Sequence, residues 1–152
     1  MTSPTARLRE LGITLPSVAT PAGAYIPAKR AGSLVFTAGQ VPFVDGALAA
    51  TGKVGAEITP EQAKDLARTC TLNALAAVDG LVGLDAVASV VKVVGFVASA
   101  PGFTGQPGVV NGASELLAEV FGEAGRHARS AVGVAELPLG APVEVELVVE
   151  LA

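Results

Sequence analysis

The chain is short of the residues that build metal centres, disulfide frameworks and nucleic-acid surfaces. Its 152 residues include one Cys, one His, one Met and one Tyr, and no Trp. Cys70 alone cannot close an internal disulfide, and with His127 as its only imidazole counterpart no Cys/His cluster of the zinc-binding kind is available. A structural metal is therefore not expected. Positive charge is scarce too: 10 Lys and Arg stand against 14 Asp and Glu, a net charge of −4. Without a positive field to draw phosphate backbones, nucleic acid is not an expected partner. Although 51% of the residues are hydrophobic, long apolar helices are absent. Leu11 to Ala28 is broken by Pro16, Pro21 and Pro27, and Val93 to Ser114 by Pro101, Pro107 and five glycines. Neither offers the ~20 continuous helical residues that a bilayer span requires, so no membrane association is expected. Met1-Thr2-Ser3-Pro4 begins no basic-then-apolar leader, and the expectation is a cytoplasmic protein.

What is present amounts to one domain, expected to bury roughly 70% of its extended surface. Residues 1–23 read as an arm packed loosely on that domain, with a short helix around Leu8, Leu11 and Ile13 and then a proline-punctuated run. The arm proper is taken as residues 1–17 and the domain as 18–152. From Tyr25 the pattern turns strand-like, with a turn at Lys29-Arg30-Ala31-Gly32 and a β-branched run from Leu34 to Ala38. Thr59-Pro60-Glu61-Gln62 starts a helix with a capping box, and Ala63, Leu66, Ala67, Cys70, Ala74, Ala77, Val78 and Leu81 form its buried stripe up to Gly80–Gly83. Val87 to Ala98 is apolar on both faces except for Lys92, the pattern of a central strand covered on each side. A second amphipathic helix carries Val109, Val110, Ala113, Leu116, Leu117, Val120 and Phe121. Strands over 128–134 and 143–151 finish the chain. The order is β-β-α-β-α-β-β, an α+β fold with two helices on one face of a sheet.

In the last strand Val143, Val145, Leu147, Val149 and Leu151 share one face, leaving Glu144, Glu146 and Glu150 on the other. In the strand before it, Val132 and Val134 oppose Arg129 and Ala131. If the apolar faces coincide, Arg129 and Glu144 lie together on the side away from the helices. That pair is either a solvent-facing cross-strand contact worth under ~1 kcal/mol, or an anion ligand beside a proton-transfer group in a cleft closed by another subunit. His127 is expected to point to the opposite face from Arg129, as a surface or capping group. Gly102, Gly105 and Gly108 match neither a dinucleotide nor a phosphate-loop pattern and read as a loop.

Gly23-Ala24-Tyr25, Thr37-Ala38-Gly39-Gln40-Val41-Pro42, Val110-Asn111, Ala128-Arg129-Ser130-Ala131-Val132, Leu137-Pro138 and Val143-Glu144-Val145-Glu146 follow the order found in the RidA/YjgF family. Over roughly residues 18 to 152 the chain resembles this family, in a branch with a longer N-terminal arm. The resemblance implies a chorismate-mutase-like protomer with a mixed sheet, and a homotrimer whose sheets form a central barrel with three intersubunit clefts. It implies hydrolysis of enamine/imine intermediates such as 2-aminoacrylate to a 2-keto acid and ammonia, with no metal or organic cofactor. Arg129 matches the family's carboxylate-binding arginine, suited to a two-pronged grip. Glu144 matches the glutamate that positions or activates water, its plain alternative being a pair with Arg129. Tyr25 matches the cleft tyrosine, with interface packing as the alternative. Asn111 matches a cleft asparagine, with a helix-terminal hydrogen bond as the alternative.

Two positions depart from the family pattern. Ala38 replaces the usual Ser before Gly-Gln, and Ala131 replaces the usual Cys after the arginine, leaving backbone N–H groups at Gly39 and Ala131 as the substrate-binding donors there. The sequence thus supports a metal-free deaminase, with a non-catalytic trimer that binds a small carboxylate metabolite as the alternative. The acidic balance argues against a ribonuclease.

Overall fold

In the computed structural model, which describes residues 2–152, the chain forms α1 (Pro4–Glu10), β1 (Ala28–Ala31), β2 (Leu34–Thr37), β3 (Phe43–Val44) and β4 (Ala47–Leu48). It continues through α2 (Pro60–Val82), β5 (Val87–Ala98), α3 (Gln106–Phe121), β6 (Ala128–Val134) and β7 (Val143–Leu151). The main sheet has five strands in the order β1-β2-β7-β5-β6, and only the β5–β6 pair is parallel. A separate hairpin joins β3 to β4.

Local chemistry accounts for the long elements. The Thr59 side chain accepts from the Gln62 N–H at 3.1 Å and the Gln62 side chain accepts from the Thr59 N–H at 2.9 Å, while Pro60 occupies the first turn of α2. Gly83, at φ +79°, ends the helix in a conformation that a Cβ would resist. Helix α2 buries more than its expected stripe: Thr71, Asn73, Leu75 and Ala76 are buried as well, whereas Leu81 is exposed. The extra burial follows from position, because α2 lies between the sheet, α3 and the β3 segment, and Asn73 donates to the carbonyls of Val41 and Phe43.

The two long helices pack on one face of the sheet, against Val35, Val93, Val97, Val143, Val145, Leu147 and Val149, all fully or almost fully buried. They touch through backbone. A Cβ placed at Gly112 would fall on the Lys64 carbonyl oxygen, so only glycine lets α3 approach α2 this closely. Gly112→Ala is expected to cost about 2 kcal/mol in denaturant unfolding, because the overpacking outweighs the better helix propensity of Ala.

Two local expectations change, and one hairpin is added. Lys29, Arg30 and Ala31 lie within β1, and the hairpin turns instead at Gly32-Ser33, with Ala31 opposite Leu34 and Gly32 at φ +62°. The β3–β4 hairpin turns at Asp45-Gly46, both at positive φ, a dipeptide that marks such turns. The arm is docked rather than loose: Leu8 belongs to the core, the Thr5 N–H donates to the Asp85 carboxylate at 2.8 Å, and Arg7 Nε donates to the Glu119 carbonyl at 2.9 Å. The hydrogen bonds from Thr5 hold the Asp85 carboxyl below the usual carboxylate range.

The opposite face of the sheet is open. Phe36, Val91 and Val132 are exposed there beside the partly exposed Val94, Phe96 and Val148, so β5 is covered by helices on one side only. No helix among the described residues is long and apolar enough to cross a membrane.

Candidate active site

The expected site residues fall into two groups on opposite faces of the sheet. Arg129 pairs in register with Val93 and Ala131 with Gly95, both of which face the helices. Glu144 pairs with Phe96, which also registers with Val132 on the open face. Arg129 and Glu144 therefore do not share a side, and they form no contact within the protomer. The assumption that fails is that the apolar face of β6 looks toward the helices. A Cβ at Gly133 would come within 2.7 Å of Gln106 Nε2 and 3.0 Å of Ser99 Oγ. Gly133 leaves that space to the Gln106 and Ser99 side chains and Ala131 packs on the core, so Arg129, Ala131 and Gly133 form the inward face of β6 and Val132 turns outward.

The first group surrounds Arg129 on β6, the edge strand. Its Nη1 donates to Asn111 Oδ1 at 2.8 Å and to Ser114 Oγ at 3.2 Å, and its Nη2 donates to the Pro107 carbonyl at 3.3 Å. Asn111 lies inside α3 rather than at its end, so its side chain orients the guanidinium instead of capping the helix. Ala131 packs its methyl against the core. Among the described residues no carboxylate forms an ion pair with Arg129, although five other ion pairs are present. The half-buried guanidinium is thus held only by neutral acceptors, with no counter-charge beside it.

Two members of this group were not expected from the sequence. Ser114 lies one helical turn beyond Asn111, and His127 shares the face of Arg129 because residues two apart in a strand point the same way. His127 Nε2 lies 2.9 Å from Ser114 Oγ and Nδ1 lies 2.6 Å from the Gly125 carbonyl. The expectation that His127 faces away from Arg129 is overturned by that alternation, a signal already legible in His127-Ala128-Arg129.

The second group lies where β2 leaves β7. Thr37 Oγ1 accepts from the Leu147 N–H at 2.9 Å, and Gln40 exchanges backbone hydrogen bonds with Val145 at 2.9 and 3.0 Å. Between these anchors the chain brings the Gly39 backbone against Glu144, so closely that a Cβ at Gly39 would collide with the Glu144 carboxylate. Glu144, Gly39, Tyr25, Pro138 and Leu139 line a cavity of about 200 Å³ whose further wall is the Ala19–Ala22 stretch of the arm. Burial, and then the neighbouring Glu146 charge, raise the Glu144 carboxyl above its ordinary range. The Tyr25 hydroxyl accepts from the Ala22 N–H at 3.2 Å and keeps its own proton to donate, while half of the residue stays exposed. Beneath this group Cys70 is wholly buried, and burial with the nearby Glu144 charge pushes its thiol well up, as core filler rather than nucleophile.

Fold and site together define a small α+β protomer of the chorismate-mutase-like class, with a guanidinium cluster at one sheet edge and a cavity-lining carboxylate on the other face. The chain belongs to the RidA/YjgF family: residues 5–151 match the family model described as YjgF/chorismate mutase-like, putative endoribonuclease. It is 47% identical over 148 residues to Protein TCP17 of Trypanosoma cruzi, covering 96% of this chain and 92% of that one. A putative endoribonuclease from Shewanella oneidensis superposes with a TM-score of 0.95 at 35% identity, over 99% of this chain and 100% of its own. Atu1372 of Agrobacterium tumefaciens, of unknown function, gives 0.88 at 43% identity, covering 98% and 92%. E. coli TdcF, crystallised with bound serine, shares the fold at 24% identity with a TM-score of 0.66, covering 91% and 96%. The endoribonuclease names leave the exclusion of nucleic acid, drawn from net charge, without support.

Proposed function

We propose that the protein hydrolyses enamine/imine intermediates of the 2-aminoacrylate type in clefts built between copies of the chain. The observation that carries this reading is Arg129, a half-buried guanidinium with neutral partners and no acid. A guanidinium has five N–H groups. Both on Nη1 and one on Nη2 are engaged, which leaves Nε–H and the second Nη2–H for the two oxygens of a substrate carboxylate.

The reaction needs little more than placement and one proton carrier. The enamine tautomerises to the imine, and water adds to the imine carbon, forming a C–O bond as the C=N electrons take up a proton at nitrogen. The carbinolamine then collapses, breaking C–N to release ammonia and leave the 2-keto acid. A carboxylate with a raised pKa is a better base than an ordinary one, and Glu144 fits the role of taking the proton from water and returning it to the leaving nitrogen. Because Glu144 and Arg129 lie on opposite faces, the cleft takes Arg129 and Asn111 from one copy and Glu144, Gly39 and Tyr25 from its neighbour. The open face, where Phe36, Val94, Phe96, Val132 and Val148 are interleaved with Lys92, Glu144 and Glu146, supports burial against other copies in a homotrimer.

Light scattering is expected to give three times the 15.0 kDa chain mass, and a monomeric mass would refute the shared cleft. The activity is tested by the lifetime of 2-aminoacrylate, generated in situ by a dehydratase, which the protein is expected to shorten relative to a protein-free control. Ala38 and Ala131, where the family carries polar side chains, favour a second reading in which the clefts only bind a small carboxylate. An unchanged lifetime together with saturable binding of pyruvate would select that reading.

A further inference from the structure

We propose that His127, acting through Ser114, is a positioning residue that locks the Arg129 guanidinium so that its side-on N–H pair stays free for an anion. This inference rests on the reading of Arg129 as the carboxylate grip and adds to it the device that aims the grip.

The argument is one of donors and acceptors. The Gly125 carbonyl can only accept, so at 2.6 Å His127 Nδ1 carries the hydrogen. The neutral ring then offers Nε2 as an acceptor, and the Ser114 hydroxyl donates to it at 2.9 Å. With its proton committed to His127, Ser114 Oγ turns lone pairs toward Arg129 Nη1, which donates to it at 3.2 Å. Asn111 Oδ1 takes the other Nη1 hydrogen at 2.8 Å and Pro107 takes one from Nη2. A serine without such a partner can rotate its hydroxyl hydrogen toward the guanidinium; histidine removes that option. The result is a directional chain from Arg129 to Ser114 to His127 to the Gly125 carbonyl.

The chain is also anchored rigidly. A Cβ at Gly125 would collide with the Leu117 carbonyl of α3, so the segment carrying the Gly125 acceptor is packed directly on the helix that carries Ser114 and Asn111. The ring is thus held at both nitrogens by groups fixed to one helix, and the guanidinium is oriented from that helix rather than from its own edge strand. Free rotation about the arginine side chain would otherwise cost affinity each time a carboxylate bound.

His127 is the chain's one histidine, so nitrogen-15 NMR of the full-length protein reports its tautomer without ambiguity. In the neutral ring the expected signature is protonated Nδ1 and unprotonated Nε2, with slow solvent exchange of the Arg129 Nη1 hydrogens. Ser114→Ala and His127→Phe are expected to speed that exchange about tenfold, and His127→Gln, which restores an acceptor, to return it to within about threefold of wild type. In turnover of 2-aminoacrylate the first two variants raise KM about tenfold with kcat within about twofold, and His127→Gln recovers KM. A protonated Nε2, or Nη1 exchange unchanged in both disruptive variants, overturns the proposal whether or not the protein turns over the imine. If Arg129→Ala leaves turnover and pyruvate binding intact, the carboxylate-grip reading fails instead. If Arg129→Ala abolishes both while Ser114→Ala and His127→Phe keep wild-type KM, the grip stands and the positioning role falls. Thermal melting of each variant separates loss of aim from loss of fold.

Discussion

With Arg129 replaced by Ala, 2-aminoacrylate is expected to persist in the presence of the protein almost as long as in its absence. On the proposed function the substitution takes away two charge-assisted hydrogen bonds to the substrate carboxylate, together expected to be worth about 3 kcal/mol, or on the order of a hundredfold in kcat/KM. The fold is expected to survive, because Arg129 is half-buried, lies on an edge strand and has no ion-pair partner to orphan. Arg129→Lys is expected to recover only part of the loss: an ammonium retains the charge but cannot donate to Asn111, Ser114, Pro107 and both carboxylate oxygens at once. Lifetimes of 2-aminoacrylate and pyruvate titrations on the three proteins check this, and equal lifetimes for wild type and Arg129→Ala would remove Arg129 from the site.

Glu144→Gln is expected to lower turnover by about a hundredfold or more while pyruvate binding stays within a few fold of wild type, because it removes a proton carrier and leaves the guanidinium untouched. The wild-type pH profile carries the same assignment. A base must be ionised, so with Glu144 as the proposed base activity is expected to fall as pH drops through its pKa. Burial and Glu146 raise that pKa, so the acid limb lies above the ordinary carboxylate range. Glu146→Gln takes away the like charge, eases ionisation of Glu144, and is expected to move the acid limb to lower pH. An acid limb that stays in place in that variant would mean that another group sets it.

Much of the fold is legible along the chain. The limits of β5, β6 and β7 are those that apolar runs and alternation predict, and α2 begins at the Thr59 capping box. The β3–β4 hairpin was signalled by Asp45-Gly46 but is carried by strands of two residues each, too short for periodicity to register. The hairpin turn centred on Gly32-Ser33 lies two residues beyond the expected one, because Lys29 and Arg30 are exposed on an edge strand and there resemble turn residues.

The site divides in the same way. Sequence alone determined the parts: a guanidinium, a carboxylate, a tyrosine and an asparagine in the order of a known family, on strands and a helix whose limits follow from local pattern. Only the tertiary structure decided which sides they occupy. Alternation states which residues of a strand lie together but not which face meets the helices, and for β6 that choice is visible only in the packing, where Ala131 lies against the core and Val132 is exposed. That packing, between residues far apart in the chain, places Arg129 beside Asn111 and Ser114, the latter bonded to His127, while the β5–β7 register places Glu144 on the other face. Strand period is a local property of the backbone, whereas facing is a property of packing.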